Sequence, residues 1–454
     1  MKDLTQGSIT GHILSMSLVM LIGMAGQTAY FLVDLYFVAH LGPEAIAGVN
    51  AAGTLSFVVM ALTQILGVGT VALIAHAVGR QDKQDANLVF NQSVALSGIC
   101  AVVVLVLGYS LTGAYLRSVG ADPEMQANGE TYLRWFLPSL ALQFALVSMG
   151  QALRGTGIVK PGTVVQLLTV ILNIVLAPVL IAGWGTGVPM GVAGAGLAST
   201  IAVAAGVLML TVYFIKLEHY VGFNSAQWKP RAAYCKRILN IGLPAGGEFF
   251  VMFVTMAIMY WLLRPFGADA QAGYGIGTRI MQAIFLPAMA VAFSASPIAG
   301  QNYGARRADR VRETFHKAAL IEVVIMAVVT ALCHIAPQSM ISPFSQDPEV
   351  VAVGTMFLRI ISWNFVATGF MFTCSGMFQA IGNTWPAMWS GVLRLVLFAV
   401  PAVWLSMQPG FNLEQIFHWS VVTVFLQAGL GYWLLRVQLN KRLAFAPAPA
   451  RAAA

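Results

Sequence analysis

The sequence predicts an all-α integral membrane protein of twelve transmembrane helices, arranged as two parallel six-helix repeats. Three observations predict it. Of 454 residues, 58% are hydrophobic and only 9% charged. The apolar stretches come about a dozen times, each long enough to cross a bilayer, and a set of landmarks recurs 225 residues apart.

A water-soluble globular chain carries about 25% charged residues, so this composition leaves no room for a water-facing surface or a soluble domain. A membrane-spanning helix needs roughly 20 apolar residues. Apolar runs bounded by polar or Gly/Pro clusters place helices near 12–38, 46–73, 88–113, 128–152, 161–184, 190–214, 239–264, 271–297, 314–336, 352–379, 386–407 and 414–437. Barrel strands are about ten residues long and alternate apolar with polar, which these runs do not. The charged start before the first apolar run resembles a signal peptide. No small-residue cleavage site closes a short apolar core, however, so the segment reads as a retained first helix.

The net charge of +8 belongs to loops rather than to a nucleic-acid face, because Lys and Arg accumulate on the cytoplasmic side. With both termini inside, the tails and loops 2–3, 4–5, 6–7 and 8–9 hold nineteen of the 25 basic residues. The other six are Arg117, Arg134, Arg264, Arg279, Arg359 and Arg394. The orientation expected is therefore both ends cytoplasmic, in the inner (plasma) membrane of a bacterium. Cys100, Cys235, Cys333 and Cys374 show no CxxC spacing, which argues for packing rather than a disulfide framework or zinc site.

Sliding the halves over each other at an offset of 225 aligns five landmarks: Leu41 and Gly42 with Phe266 and Gly267, Ala47 and Gly48 with Ala272 and Gly273, Gly79 with Gly304, Asp122, Pro123 and Glu124 with Asp347, Pro348 and Glu349, and Leu133 and Arg134 with Leu358 and Arg359. Six helices per repeat is an even number, so both halves enter the membrane in the same direction. The expected lobes are 1–225, with helices 1–6, and 226–454, with helices 7–12. Substrate sites in transporters of this construction lie near the midplane between repeats.

A charge at the bilayer centre costs roughly 2.5–3.5 kcal/mol on insertion scales. Two acids meet that cost: Asp34 in helix 1 and Glu248 in helix 7. At the repeat offset Asp34 faces Met259 and Glu248 faces Gly23, so neither belongs to the shared architecture, which favours a functional role for each. Tyr30 lies four residues before Asp34 on the same helical face. Glu322 reads as lying near a helix end, within reach of water. Gln27, Gln64, Gln166, Asn173, Gln282 and Asn364 fit interhelical packing, and Arg279 and Arg394 are candidate counter-ions. Pro244, four residues before Glu248, marks a bend. The twenty-one Met residues suit an adaptable apolar cavity.

These residues resemble the MATE (multidrug and toxic compound extrusion) family, closer to its DinF-like than its NorM-like branch, over essentially the whole chain. The resemblance rests on QTAYFLVDLYFVAHLGPEAIAGV in helix 1, ALRGTGIVKPG after helix 4, LNIVLAPVLI in helix 5, GVAGAGLAST in helix 6, GLPAGGE in helix 7, IAGQNYGARR after helix 8 and FQAIGNTWPAM after helix 10. It implies a two-lobe fold around a central cleft that opens alternately to either side, and no cofactor. It also implies a secondary transporter rather than an enzyme: a multidrug antiporter expelling amphipathic, cationic drugs or toxic metabolites in exchange for protons, with sodium as the other coupling ion. Asp34 matches the family's helix 1 acid, Tyr30 its companion aromatic, Asn173 the helix 5 asparagine of the cation site, and Ser199, beside Thr200, the helix 6 hydroxyl. Glu248 matches the helix 7 acid of DinF-like members, a substrate or second proton site.

Two departures matter. The family often has a second carboxylate four residues after the helix 5 asparagine, and here that residue is Ala177. A sodium site at Asp34 then loses an oxygen ligand that a hard cation favours, which shifts the expectation toward protons. The NorM-like acid of helix 7 would fall on Met252, and MFLRIISWNFVATGFMF shows no helix 10 acid. Partners expected are small molecules and membrane lipid, with no nucleic acid, and the chain is expected to act as a monomer.

Three other classes of membrane protein fit these residues less well. A major-facilitator transporter should carry a GxxxDR-like loop between helices 2 and 3, where this chain reads AVGRQDKQDAN. A flippase of lipid-linked precursors, from the same superfamily, should show more cavity arginines and extra helices. A membrane-embedded enzyme needs clustered acids or a placed His and nucleophile, and no His lies near the middle of a predicted helix.

Overall fold

The computed structural model describes residues 1–119 and 122–445, apart from the side chains at 31–35, 39, 43, 44, 52, 54 and 119. Among the described residues there are fourteen α-helices and no strand. They run α1 Ile9–Ala39, α2 Pro43–Gly79, α3 Lys83–Val119, α4 Pro123–Gly155, α5 Lys160–Ile181, α6 Val192–Lys216, α7 Ala232–Leu263, α8 Ala268–Gly304, α9 Ala308–Ile335, α10 Pro337–Ile341, α11 Pro348–Ile361, α12 Phe365–Ala380, α13 Trp385–Ser406 and α14 Leu413–Arg442. Among the described residues twelve segments are long and apolar enough to cross a membrane.

Every predicted span is present, and most run longer than the apolar pattern. Backbone hydrogen bonding from i to i−4 does not require apolar side chains, so α2 continues to Gly79, α8 to Gly304 and α14 to Arg442. At the start of α9 the polar stretch Ala308–Glu313, read from the sequence as loop, is helical. The tenth span differs in kind. It breaks between α11 and α12 into a 3₁₀ turn at Ser362–Asn364, where the sequence holds neither Gly nor Pro.

The 225-residue repeat is a repeat of backbone conformation. Asp122 and Asp347 cap α4 and α11 with φ/ψ of −73°/120° and −72°/121°, each accepting from the backbone amides two and three residues on. Pro follows each cap, at the first helical position where its missing N–H costs nothing. Left-handed residues recur as pairs: Gly42 and Gly267, Gln81 and Arg306, Gly157 and Gly382, Gly185 and Gly410. The amide of Asp82 donates to the Ala77 carbonyl and that of Arg307 to Asn302, both at 2.9 Å, the Schellman closure that ends a helix. Gly48 lies against Met125 and Gly129, and Gly273 against Val350 and Gly354, the same contact made twice.

Packing divides the chain into two compact units. The first comprises Met1–Asp3, Ser15–Val78 and Asp82–Gly247; the second comprises Leu4–Leu14, Gly79–Gln81 and Glu248–Ala454. In the first, α4 packs on α3 and α6, and α5 on α6, around a core that includes Phe90, Phe144 and Phe214. The stretch joining the repeats is tied to α3: Asn91 Oδ1 accepts from the Asn224 amide and Gln92 Oε1 from the Arg231 amide. In the second unit, α8 packs on α9, α11 and α12, and α14 on α11, α12 and α13. There the N-terminal segment is stitched down, with the Leu4 amide donating to Gln301 and Arg310 donating to the Gly7 carbonyl. The four cysteines are free thiols.

Candidate functional site

In the first unit, three residues far apart in sequence meet at one hydroxyl. Ser199 Oγ on α6 lies 2.7 Å from Tyr30 Oη on α1 and accepts from Asn173 Nδ2 on α5 at 3.4 Å. Small residues permit the approach: α6 opens with Gly194, Ala195, Gly196 and Ala198, all buried. Ser199 and Asn173 are themselves buried, and Asn173 Oδ1 has no hydrogen-bond partner. A second polar rung lies along the same helices, where Gln166 Nε2 on α5 donates to Gln27 Oε1 on α1 at 3.3 Å.

Asp34 follows Tyr30 by one helical turn on α1, and its side chain lies outside the described residues. Ala177, one turn beyond Asn173, is fully buried and presents a methyl group where a second carboxylate would supply oxygen. Thr200 takes no part in the cluster, since its hydroxyl donates to the Trp135 carbonyl. The polar groups gathered by α1, α5 and α6 are two hydroxyls and an amide, all uncharged. For a sodium ion they form a thin cage.

In the second unit Glu248, half-buried on α7, accepts from Ser375 Oγ on α12, at 3.0 Å to Oε2 and 3.4 Å to Oε1. Ser375 was not singled out from the sequence, because nothing in a lone serine 127 residues away marks it. Met252, at the NorM-like position, is 59% exposed. Among the described residues neither candidate counter-ion meets an acid: Arg394 is half-buried and its Nε has no hydrogen-bond partner, and Arg279 is exposed and forms no ion pair. The ion pair described, between Arg237 and Asp85 at 3.4 Å, joins the start of α7 to the start of α3.

Glu322 is where the sequence reading fails. Because α9 begins six residues earlier than the apolar pattern suggested, Glu322 sits at its middle, with 0% exposure and both carboxyl oxygens unpartnered. It is not at a helix end within reach of water.

Known proteins resemble this chain over most of its length. Over 382 residues the chain is 28% identical to the multidrug export protein MepA of Staphylococcus haemolyticus, covering 83% of each. It is 26% identical over 359 residues to the probable multidrug resistance protein YoeA of Bacillus subtilis, covering 77% of this chain and 76% of that one. Among solved structures, an outward-facing multidrug resistance MATE family transporter of the MOP superfamily superposes with a TM-score of 0.90 at 26% identity, covering 98% of both chains. A MATE crystal structure in complex with MaL6 gives 0.89 at 25%, covering 97% of this chain and 98% of that one. The family profile described as MatE matches residues 20–179 and again 244–405, once in each repeat. Twelve spans, a doubled six-helix repeat and a profile that fits each repeat in turn lead to one assignment: the chain belongs to the MatE family.

Proposed function

We propose that this chain is a multidrug efflux antiporter that exports amphipathic, cationic small molecules in exchange for protons by alternating access. The family is one of secondary transporters, not enzymes, and the relatives named above are export or resistance proteins. The observation that carries the coupling reading is the Tyr30, Ser199 and Asn173 cluster, one helical turn from Asp34, with a buried amide oxygen still lacking a partner. Asp34 is the proton switch: ionised it attracts a cation, and protonated it releases one. Glu248, held by Ser375, is a second negative group that shapes cation affinity. The position of Glu248 also supports placement nearer the DinF-like branch.

The repeats 1–225 and 226–454 act as the two lobes of the cycle. Both termini face the cytoplasm of a bacterial inner membrane. That orientation is supported by the basic loops and by the packing of the N-terminal segment on Gln301, Arg307 and Arg310. The protein works as a monomer surrounded by lipid. Proton coupling is favoured over sodium by the methyl group at Ala177, and no observation favours the flippase alternative.

Substrate class is tested by equilibrium binding of a cationic dye and of neutral and anionic analogues matched in size. An apolar cleft with one or two negative groups should bind the cation most tightly, and Glu248→Gln should weaken cation binding by roughly tenfold, the value of about 1.4 kcal/mol. Equal or tighter binding of the anionic analogue overturns the assignment of cationic substrates.

A further inference from the structure

The two repeats match so closely in backbone that a local exchange of residues between them is informative. In the first repeat, Ser97 on α3 donates to the carbonyls of Ser93 and Phe144. Ser93 Oγ lies 2.7 Å from Ser148 Oγ and also bonds the Thr70 hydroxyl. The result is a set of buried hydroxyls bonded to one another and to the Phe144 and Ser93 carbonyls.

At the 225 offset every member of that set is replaced. Ser97 becomes Glu322, Phe144 becomes Gly369, Ser148 becomes Thr373, Ser93 becomes Ala318 and Thr70 becomes Ala295. A small residue and a large ring have been exchanged for a large acid and no side chain. The carboxyl occupies the vacated space, since a Cβ at residue 369 would lie 3.1 Å from Glu322 Oε2 and 2.8 Å from Met326 Cγ. The hydroxyl partners have gone, so Thr373 Oγ1, one turn beyond Gly369 on α12, is buried without a hydrogen bond, as are both oxygens of Glu322.

Glu322 lies on the buried stripe Val311, Thr314, Phe315, Ala318, Ala319, Glu322 and Met326 of α9, about 20 Å from either end at 1.5 Å per residue. The titratable groups on the elements packed against α9 are Asp269, Tyr274, Arg279 and Tyr303 on α8, Glu349 and Arg359 on α11, Cys374 on α12 and, on α14, whose Tyr432 ring stacks on Phe315 of α9, Glu414, His418, Tyr432, Arg436, Lys441 and Arg442. Neither α10 nor the 362–364 turn carries one. On α9 itself they are Asp309, Arg310, Arg312, Glu313, His316, Lys317, Cys333 and His334, of which His316 and Lys317, nearest along the chain, are exposed on another face. None hydrogen-bonds the Glu322 carboxyl. An ionised carboxylate buried with nothing opposite it is the costliest state available to the group. A proton neutralises it, whereas among the described residues a metal cation would find no oxygen ligand bonded to the two of the carboxyl.

We propose that Glu322 is a second proton-binding carboxyl of this transporter, separate from Asp34 and Glu248, which takes up and releases a proton during the cycle. Its reach to the rest of the unit is through α12, which carries Gly369 against Glu322 and, six residues on, Ser375 against Glu248. The α12 helix also begins at the 3₁₀ break, so one short element contacts both acids. The proposal deepens the antiport reading and rests on it for the word cycle, but the proton itself is tested without transport.

The experiment is infrared difference spectroscopy of the full-length protein in detergent, following the carbonyl stretch of protonated carboxylic acids. It is run across a pH titration, with and without tetraphenylphosphonium, for the wild type, Glu322→Gln and Asp34→Asn. The expected result is a band that fades as pH rises and changes on binding the probe, is lost in Glu322→Gln and persists in Asp34→Asn. A second variant, Glu322→Ser with Gly369→Phe, rebuilds the packing of the first repeat and should also lose the band while folding normally. Identical spectra for the wild type and Glu322→Gln overturn the proposal. So does a Glu322 band that never responds to pH or probe, which marks a permanently neutral acid. Loss of the band when sodium replaces choline at fixed pH also overturns it, by making the site one for a metal cation. If liposome assays failed to show proton-driven efflux while the Glu322 band titrated, the antiport reading would fall and the proton site would stand.

Discussion

Replacing Asp34 with Asn is expected to leave the protein folded and able to bind a cationic dye, while ending efflux driven by a pH gradient. Asn reproduces the shape of a protonated Asp and cannot change its charge. On the proposed coupling, lowering the pH should protonate Asp34 in the wild type, remove a negative charge and weaken cation binding; raising it should do the reverse. By reciprocity a bound cation lowers proton affinity by the same coupling free energy, typically about 1–3 kcal/mol, or 5- to 150-fold in affinity. The variant should therefore bind the dye with the weak affinity of the low-pH wild type at every pH. The measurement is dye affinity against pH, paired with efflux from liposomes. Retention of full gradient-driven efflux by Asp34→Asn would move the coupling role to Glu248, Glu322 or another group.

The second large effect concerns the repeated glycine contact. A methyl group on Gly48 would sit 2.7 Å from the Gly129 amide nitrogen and 2.8 Å from the Met125 carbonyl; one on Gly273 would sit 2.7 Å from the Val350 carbonyl and 3.0 Å from the Gly354 nitrogen. These are backbone atoms that cannot turn aside, so the helices must separate. Overpacking of this sort costs about 1–3 kcal/mol, more than the ~1 kcal/mol that Ala gains over Gly in a helix. Gly48→Ala and Gly273→Ala should each lower the melting temperature in detergent, by similar amounts, because the contact is the same in both repeats. Gly98→Ala is the control: a Cβ there meets nothing within 4 Å, and the melting temperature should hold or rise. A variant at Gly48 that melts like the wild type would show that α2 and α4 are not in backbone contact.

The helices were legible because a bilayer imposes a length and an apolar composition on every span, and the repeat because landmarks such as Asp122 and Asp347 serve the same capping role. Helix ends were less legible, because polar first and last turns such as Ala308–Glu313 stay helical outside the apolar stretch. That error carried directly into Glu322: a helix started at Thr314 puts the acid near its end, and one started at Ala308 puts it at the centre. The clue was nonetheless in the sequence, in the paired exchange of Ser97 for Glu322 and Phe144 for Gly369. The meeting of Tyr30, Asn173 and Ser199 was not readable from spacing, since the residues lie on three helices up to 169 positions apart; only the family resemblance brought them together. Ser375 carried no signal at all, because its role depends on α12 lying beside α7.

The central claim, that proton entry drives cation export, is most directly tested with the purified protein in liposomes. Efflux of a cationic dye is measured first under an imposed pH gradient without sodium and then under an imposed sodium gradient at constant pH. The pH gradient alone should drive efflux, each proton moving through 100 mV releasing about 2.3 kcal/mol, and the sodium gradient alone should not. Efflux that follows sodium and ignores pH would contradict the account.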